Sequence, residues 1–422
     1  MVIDLGVPQD QDEVEVAPRR WSARQRRAVG AVLGIAALLG TVGAAAPVRS
    51  PLVSVTIQAT AADDVLVAND ALYLMRPSRG VIRAGLRTIT RYRLADATTP
   101  EWEAAIYTAG PVRAASLVDG VLMAMAMAEG PGIETIAIRP DTGREVWRRS
   151  GWYHSTGLGH GLLQDQSPGR WQRVFGVDLA TGDVRWSLEY PVDDTVLVDR
   201  GRFVHWDRSG MAELHDADTG SLLATAHLPF DAQSSAQIVG DLLLIPAADG
   251  RRAVVAYGMD RLDRRWQADI DMRSEYVSGE CGDALCVGAV DGGGIRLVDA
   301  ATGRTRWSAP GWGYAFRVGP RLLAYGPGQT TNPNAALLDP ADGRVVGDLG
   351  EWNASVPADD GRMLGIRESS TRALVARLDP VAADAEVLGL LADVFQCQPG
   401  PVAVVCRRAG GSIGVWYPRR RL

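Results

Sequence analysis

From Asp64 onward the chain alternates short apolar runs with turns. SLVDGVLMAMA (116–126), QIVGDLLLIPA (237–247) and FRVGPRLLAYG (316–326) each place two apolar stretches on either side of a Gly-containing turn. Runs this short, bounded by turn residues, predict β-hairpins; a helix would need a longer stretch with apolar positions three and four apart. One segment breaks the pattern. From Ala28 to Val48 the sequence reads AVGAVLGIAALLGTVGAAAPV with no charged residue. That is close to the roughly 20 residues that cross a bilayer core as a helix.

The hairpins recur with a motif between them. AIRPDTGREVW ends at Trp147, GVDLATGDVRW at Trp186 and RLVDAATGRTRW at Trp307; LHDADTGSLLA and LLDPADGRVVG keep Asp and Gly but not Trp, and a drifted copy ends at Trp266. A shortened copy ends at Trp102. Gly143, Gly182 and Gly220 lie about 40 residues apart, with Gly303 and Gly343 at later multiples, a period that suits one four-stranded propeller blade. The motif's chemistry is structural. Glycine supplies the positive φ of a tight turn, and the Asp or Thr before it can bond the turn's free N–H groups. The Trp, on the outgoing strand, offers a large flat surface for packing on a neighbouring blade. Trp147, Trp186, Trp266 and Trp307 are therefore expected to be blade-packing residues, and Gly143, Gly182, Gly220, Gly303 and Gly343 turn residues.

An Asp-x-x-Thr-Gly-x-x-x-Trp turn and strand resembles the repeats named after pyrroloquinoline quinone (PQQ) enzymes, a propeller family with catalytic and non-catalytic members. The resemblance runs over residues 90–390 and is specific for fold, not function. Literal counting of hairpins allows nine modules. The family pattern favours eight, and eight is the expectation. The run LVSVTIQA (52–59) is expected to supply the missing outer strand of the last module, leaving no open sheet edge. The fold class expected is all-β: a propeller of four-stranded blades over 51–418, eight with nine possible, preceded by one transmembrane helix at 28–48.

Five arginines, Arg19, Arg20, Arg24, Arg26 and Arg27, precede the apolar run and only Arg49 closely follows it. By the positive-inside bias, residues 1–27 form a disordered cytoplasmic tail and everything after the span lies outside the cytoplasmic membrane. A cleaved signal peptide, with Gly43-Ala44-Ala45 near the cut, is the competing reading. The net charge of -6, with the dense basic cluster confined to the N-terminal segment, gives no basic stripe for nucleic acid. Cys281 and Cys286 flank a turn, as do Cys397 and Cys406, so two hairpin disulfides are expected in an exported domain. Symmetric hairpin register for the second pair would set Cys397 opposite Val402. Neither spacing is that of a zinc ribbon, and no metal site is expected.

True quinone enzymes of the resembling family carry a vicinal Cys-Cys pair and a calcium held by acidic and amide ligands. This chain has no adjacent cysteines, and no cofactor or catalytic residue is assigned. His154, His160, His205, His215 and His227 are scattered without a catalytic spacing. An anchor, a tail and a rigid disc with two loop-rich faces point to a scaffold that binds protein partners of the cell envelope. A ligand-sensing ectodomain coupled to the tail and a quinone-dependent oxidoreductase are the alternatives.

Overall fold

In a computed structural model, the described residues are 51–419 apart from 69, 78–84, 95, 111, 129–131, 157–158, 167–168, 200, 229–235, 248–250, 329–331, 355–360 and 362. The expected span at 28–48 and the tail at 1–27 lie outside them. Among the described residues no helix is long and apolar enough to cross a membrane. Residues 51–422 form one compact unit.

The described residues build nine four-stranded antiparallel sheets. Blade 1 spans Asp64–Tyr107, blade 2 Val112–Ser150, blade 3 Trp152–Pro191, blade 4 Thr195–His227 and blade 5 Gln237–Ala268. Blade 6 spans Glu275–Ala309, blade 7 Tyr314–Glu351 and blade 8 Asn353–Ala392. Blade 9 takes three strands from Val394–Pro418 and its fourth from β1 (Leu52–Ile57), which pairs with the last strand of the chain from Leu52↔Pro418 to Ile57↔Ile413. Eight blades was thus the wrong integer. The two modules without either the motif's turn glycine or its Trp, 353–392 and the closing one, both complete four strands.

Among the described residues, nine apolar clusters join the nine blades, one per junction. One of them unites Ile57, Ile413 and Val415 of blade 9 with Leu72, Leu74 and Tyr92 of blade 1, which closes the ring. Strand composition follows position. Second strands such as VLMAMAM (121–127) are flanked by strands on both sides and by blades on both faces, and they are buried almost throughout. A fourth strand such as LLATAH (222–227) alternates exposed and half-buried residues, the period-two pattern of a sheet edge facing water. The turns between first and second and between third and fourth strands share one side, called here the turn face. The remaining connections share the opposite side, the loop face.

Candidate functional site

The motif residues meet across blade junctions. In the turn of blade 3, Asp178 Oδ1 accepts the N–H groups of Ala180 and Thr181, and Gly182 N–H donates to the Asp178 carbonyl at 2.8 Å. The Thr181 N–H is the main cause of an Asp178 pKa below the usual carboxylate value. Gly182 takes φ 76°, and Gly143, Gly220, Gly303 and Gly343 take 71°, 70°, 71° and 73°. A side chain is excluded there for a second reason: a Cβ would fall 2.6 Å from the indole of Trp102 at Gly143, of Trp186 at Gly220 and of Trp266 at Gly303. Trp147 lies likewise over Gly182 and Trp307 over Gly343. Each tryptophan belongs to the preceding blade. Each indole N–H also donates to a carbonyl of the turn beneath it: Trp102 to Pro140 at 2.7 Å, Trp147 to Leu179 at 2.8 Å, Trp186 to Asp218 at 3.0 Å, Trp266 to Ala300 at 2.8 Å and Trp307 to Pro340 at 2.9 Å.

A β-bulge fixes this aim. In blade 3 the register passes from Gly176↔Trp186 to Val177↔Val184, leaving Arg185 unpaired just before the tryptophan. The same skip precedes Trp102, Trp147, Trp266 and Trp307, and also Ala224 of blade 4 and Gly347 of blade 7. One extra residue turns the following side chain toward the next blade. At two of the positions that lack Trp, the turn partner is not glycine: Leu262 (φ 57°) faces the Ala224 junction and Ala383 (φ 57°) packs on Gly347. A small residue on the strand is matched by a larger one in the turn. Sequence reading missed both pairs, although LHDADTGSLLA and LLDPADGRVVG end on them.

Both cysteine pairs are disulfides. Cys281–Cys286 is buried at the junction of blades 6 and 7, and Cys397–Cys406 at that of blades 8 and 9. The expected opposition of Cys397 and Val402 is wrong. The turn is centred later, with Gly400 N–H bonded to the Ala403 carbonyl at 2.8 Å, and the ladder starts at Pro399↔Val404. That register brings Cys397 to Cys406.

Two of the scattered histidines converge. Between blades 3 and 4, His205 Nε2 lies 2.9 Å from Asp194 Oδ2, and its Nδ1 lies 3.3 Å from Glu213 Oε2. His215 Nε2 lies 3.3 Å from the same Glu213 oxygen, and its Nδ1 lies 3.1 Å from the Gly220 carbonyl. Tyr190 stacks on His205 with ring centroids 3.6 Å apart, and Phe203 stacks on His215 at 4.7 Å. Burial, with the nearby Glu213 charge, pushes the Tyr190 phenol well above its usual value. Both imidazoles are buried under aromatic rings; His205 ties blade 4 to the connection from blade 3 through Asp194, and His215 Nε2 lies 3.4 Å from the Tyr190 hydroxyl of blade 3. No sequence spacing announces the group, because the five side chains come from different strands and from the interblade connection. His154 stands apart in blade 3, where burial lowers its pKa.

The cysteines close hairpins at separations of 5 and 9 residues and are not vicinal. No group of three or more His, Cys, Asp or Glu side chains placed to hold a metal occurs among the described residues. A cleft of about 170 Å³ on the turn face is lined by Asp199, Arg202, Gly240, Asp241, Met259 and Glu280. On the loop face of blade 3, large apolar side chains stand in water: Trp171 is 60% exposed, Val192 40% and Trp152 39%. They lie at the loop-face end of one sheet, Trp152 on its first strand paired to Gln164 and Trp171 on its third paired to Pro191.

A closed disc of turn-and-tryptophan blades defines the molecule as a β-propeller. The repeats within residues 170–310 are PQQ-like β-propeller repeats, matching the family model described as "Outer membrane protein assembly factor BamB". No curated protein matches the chain. Among solved structures, the chain is similar to BamB from Moraxella catarrhalis at 13% identity, over 88% of this chain and 99% of that one, with a TM-score of 0.43. It is similar to the computationally designed Ika8 protein at 14% identity, over 73% and 96%, with a TM-score of 0.45. A structure described as "the eukaryotic initiation factor" aligns at 11% identity over 82% and 93%, with a TM-score of 0.53, a likeness of fold alone.

Proposed function

We propose that this chain is a membrane-anchored, extracytoplasmic scaffold that binds protein partners of the cell envelope. It would be held in the cytoplasmic membrane by residues 28–48, with residues 1–27 inside. The observation that carries the binding role is a division of labour among aromatic side chains. Trp102, Trp147, Trp186, Trp266 and Trp307 are committed to blade junctions through packing and an indole hydrogen bond. Trp152 and Trp171, with Val192, are left in water at one edge of the loop face. Exposed aromatic residues on a rigid frame are the side chains that dominate protein–protein hot spots. The family model matched by residues 170–310 bears the name of an assembly factor and supports the same reading. Two disulfides suit an oxidising compartment, and so support placement outside the cytoplasm.

The test places a photo-crosslinking residue at position 171 of the full-length protein in cells. A discrete protein adduct, lost when Trp152 and Val192 are changed to Ser, is expected. Absence of any adduct at 171, together with stoichiometric uptake of pyrroloquinoline quinone and calcium by the folded 51–422 unit, would replace the scaffold with an enzyme. Labelling of a cysteine introduced at exposed Val290 by an impermeant reagent on intact cells reports the side of the membrane independently.

A further inference from the structure

We infer that the free edge of blade 4 takes up an extended, uncharged segment of the protein partner as a fifth strand, an inference that rests on the scaffold role proposed above. The fourth strand of that blade, Leu222–His227, ends its sheet, so among the described residues one side of its main chain has no strand beside it. A row of open N–H and C=O groups selects another extended main chain, and sheets ordinarily guard such a row with charge or proline. In blades 1 to 3 and 5 to 8 every outer strand carries an arginine or a carboxylate. LLATAH carries neither. The contrast is sharpest at the bulge. Where blade 1 places Glu101 and blades 3, 5 and 6 place Arg185, Arg265 and Arg306, blade 4 places Leu223, which is 47% exposed beside Leu222 at 54%.

The occupant can be read from the fold itself. β1 reaches blade 9 from the other end of the chain, carries no charge, and is held along Ile413–Pro418 in unbroken register. Its own exposed positions are Ser54 and Thr56, so its outer side lacks the leucines of blade 4. The blade 4 edge also continues the loop-face patch. Met211, 42% exposed, pairs with His227 at the loop-face end of the strand. The Asp193–Arg208 ion pair, at 2.7 Å, joins the connection that carries Val192 to the turn leading into Met211. A segment that leaves Trp171 and Val192 across this pair meets the edge at His227 and runs along it to Leu222.

The test uses the full-length protein and a synthetic octapeptide of alternating valine and threonine. One form is N-methylated on alternate residues, which leaves a single pairing edge and prevents self-association; the other is N-methylated on every residue. The first is expected to bind and to protect the amides of 222–227 from hydrogen exchange. The second keeps the side chains but no main-chain donors, and should bind about a hundredfold more weakly. Leu223→Arg, which installs the residue that blades 3, 5 and 6 carry at the bulge, should weaken the first peptide about tenfold. The site is exposed, and an unchanged melting curve verifies the fold. No binding, equal binding of both peptides, protection confined to another blade, or full binding by Leu223→Arg would each overturn the inference. So would a dimer in solution that Leu223→Arg dissolves, because a second copy would then fill the edge. An adduct at position 171 with no peptide binding retains the scaffold and removes only the added strand.

Discussion

At the junction of blades 3 and 4, Trp186 covers Gly220; one blade further on, at the same bulge position, Ala224 meets a turn whose positive-φ residue is Leu262. Both junctions are filled, but the bulk comes from opposite sides. The Trp–Gly form adds an indole hydrogen bond to a turn carbonyl and takes its positive φ at glycine. The Ala–Leu form has no indole donor and holds a leucine at φ 57°, a conformation that costs a non-glycine residue on the order of 1 kcal/mol or more. What the ring selects at each junction is volume summed across the interface, not a particular residue on either side.

The sharpest way to break this comparison is to remove the bulk. Trp147→Ala should cost ~3–5 kcal/mol, seen as a lower denaturant midpoint at unchanged slope. Leu262→Ala should cost ~2–5 kcal/mol, although no motif marks that leucine. Exchanging the two forms is more discriminating: Ala224→Trp and Leu262→Gly should each destabilise alone, and the double variant should recover at least ~1 kcal/mol of their sum. Strict additivity would show that the two positions do not share one space. Removing the Cys397–Cys406 disulfide by paired Cys→Ala substitution should cost ~2–3 kcal/mol through the freed unfolded chain. Gly303→Ala, which adds both a clash and strain, should cost ~1–3 kcal/mol, whereas Ala383→Gly should stay within ~1 kcal/mol of neutral.

The smallest effect concerns His154. Its folded pKa is lowered by burial from 6.5, so between that value and the folded one the unfolded chain binds more protons. Stability contributed by the neutral ring is complete above the unfolded value and falls as the solution is acidified through it. His154→Asn should flatten that acid-side decline in denaturation curves recorded at neutral and mildly acidic pH. An unchanged slope would assign the decline to other groups.

The repeat, its tryptophans and the closing strand were legible in the sequence because each is local: a turn, a period, and an unpaired apolar run at 52–59. Blade number was not, since the blade at 353–392 forms without either motif anchor, with Ala383 doing in the turn what glycine does elsewhere. The Ala224–Leu262 pairing was illegible for a related reason. A small residue on one strand announces nothing until the next blade is docked against it. The cluster of Tyr190, Asp194, His205, Glu213 and His215 needs the interblade connection to bring its members together, and no spacing encodes that. The exposed trio at Trp152, Trp171 and Val192 could be named in the sequence but not told apart from buried side chains, because exposure is decided by which end of the strands each occupies.

Blade 9 is assembled from the two ends of the chain, with its outer strand made first and the other three made last. During synthesis, β1 therefore emerges without its partner and must wait until nearly the whole polypeptide has been delivered. The ring has no closed form without both β1 and the strand it pairs with. A chain that stops before β36 (Ile413–Pro418) leaves both β1 and blade 9 open, so closure of the disc reports that synthesis has passed Pro418.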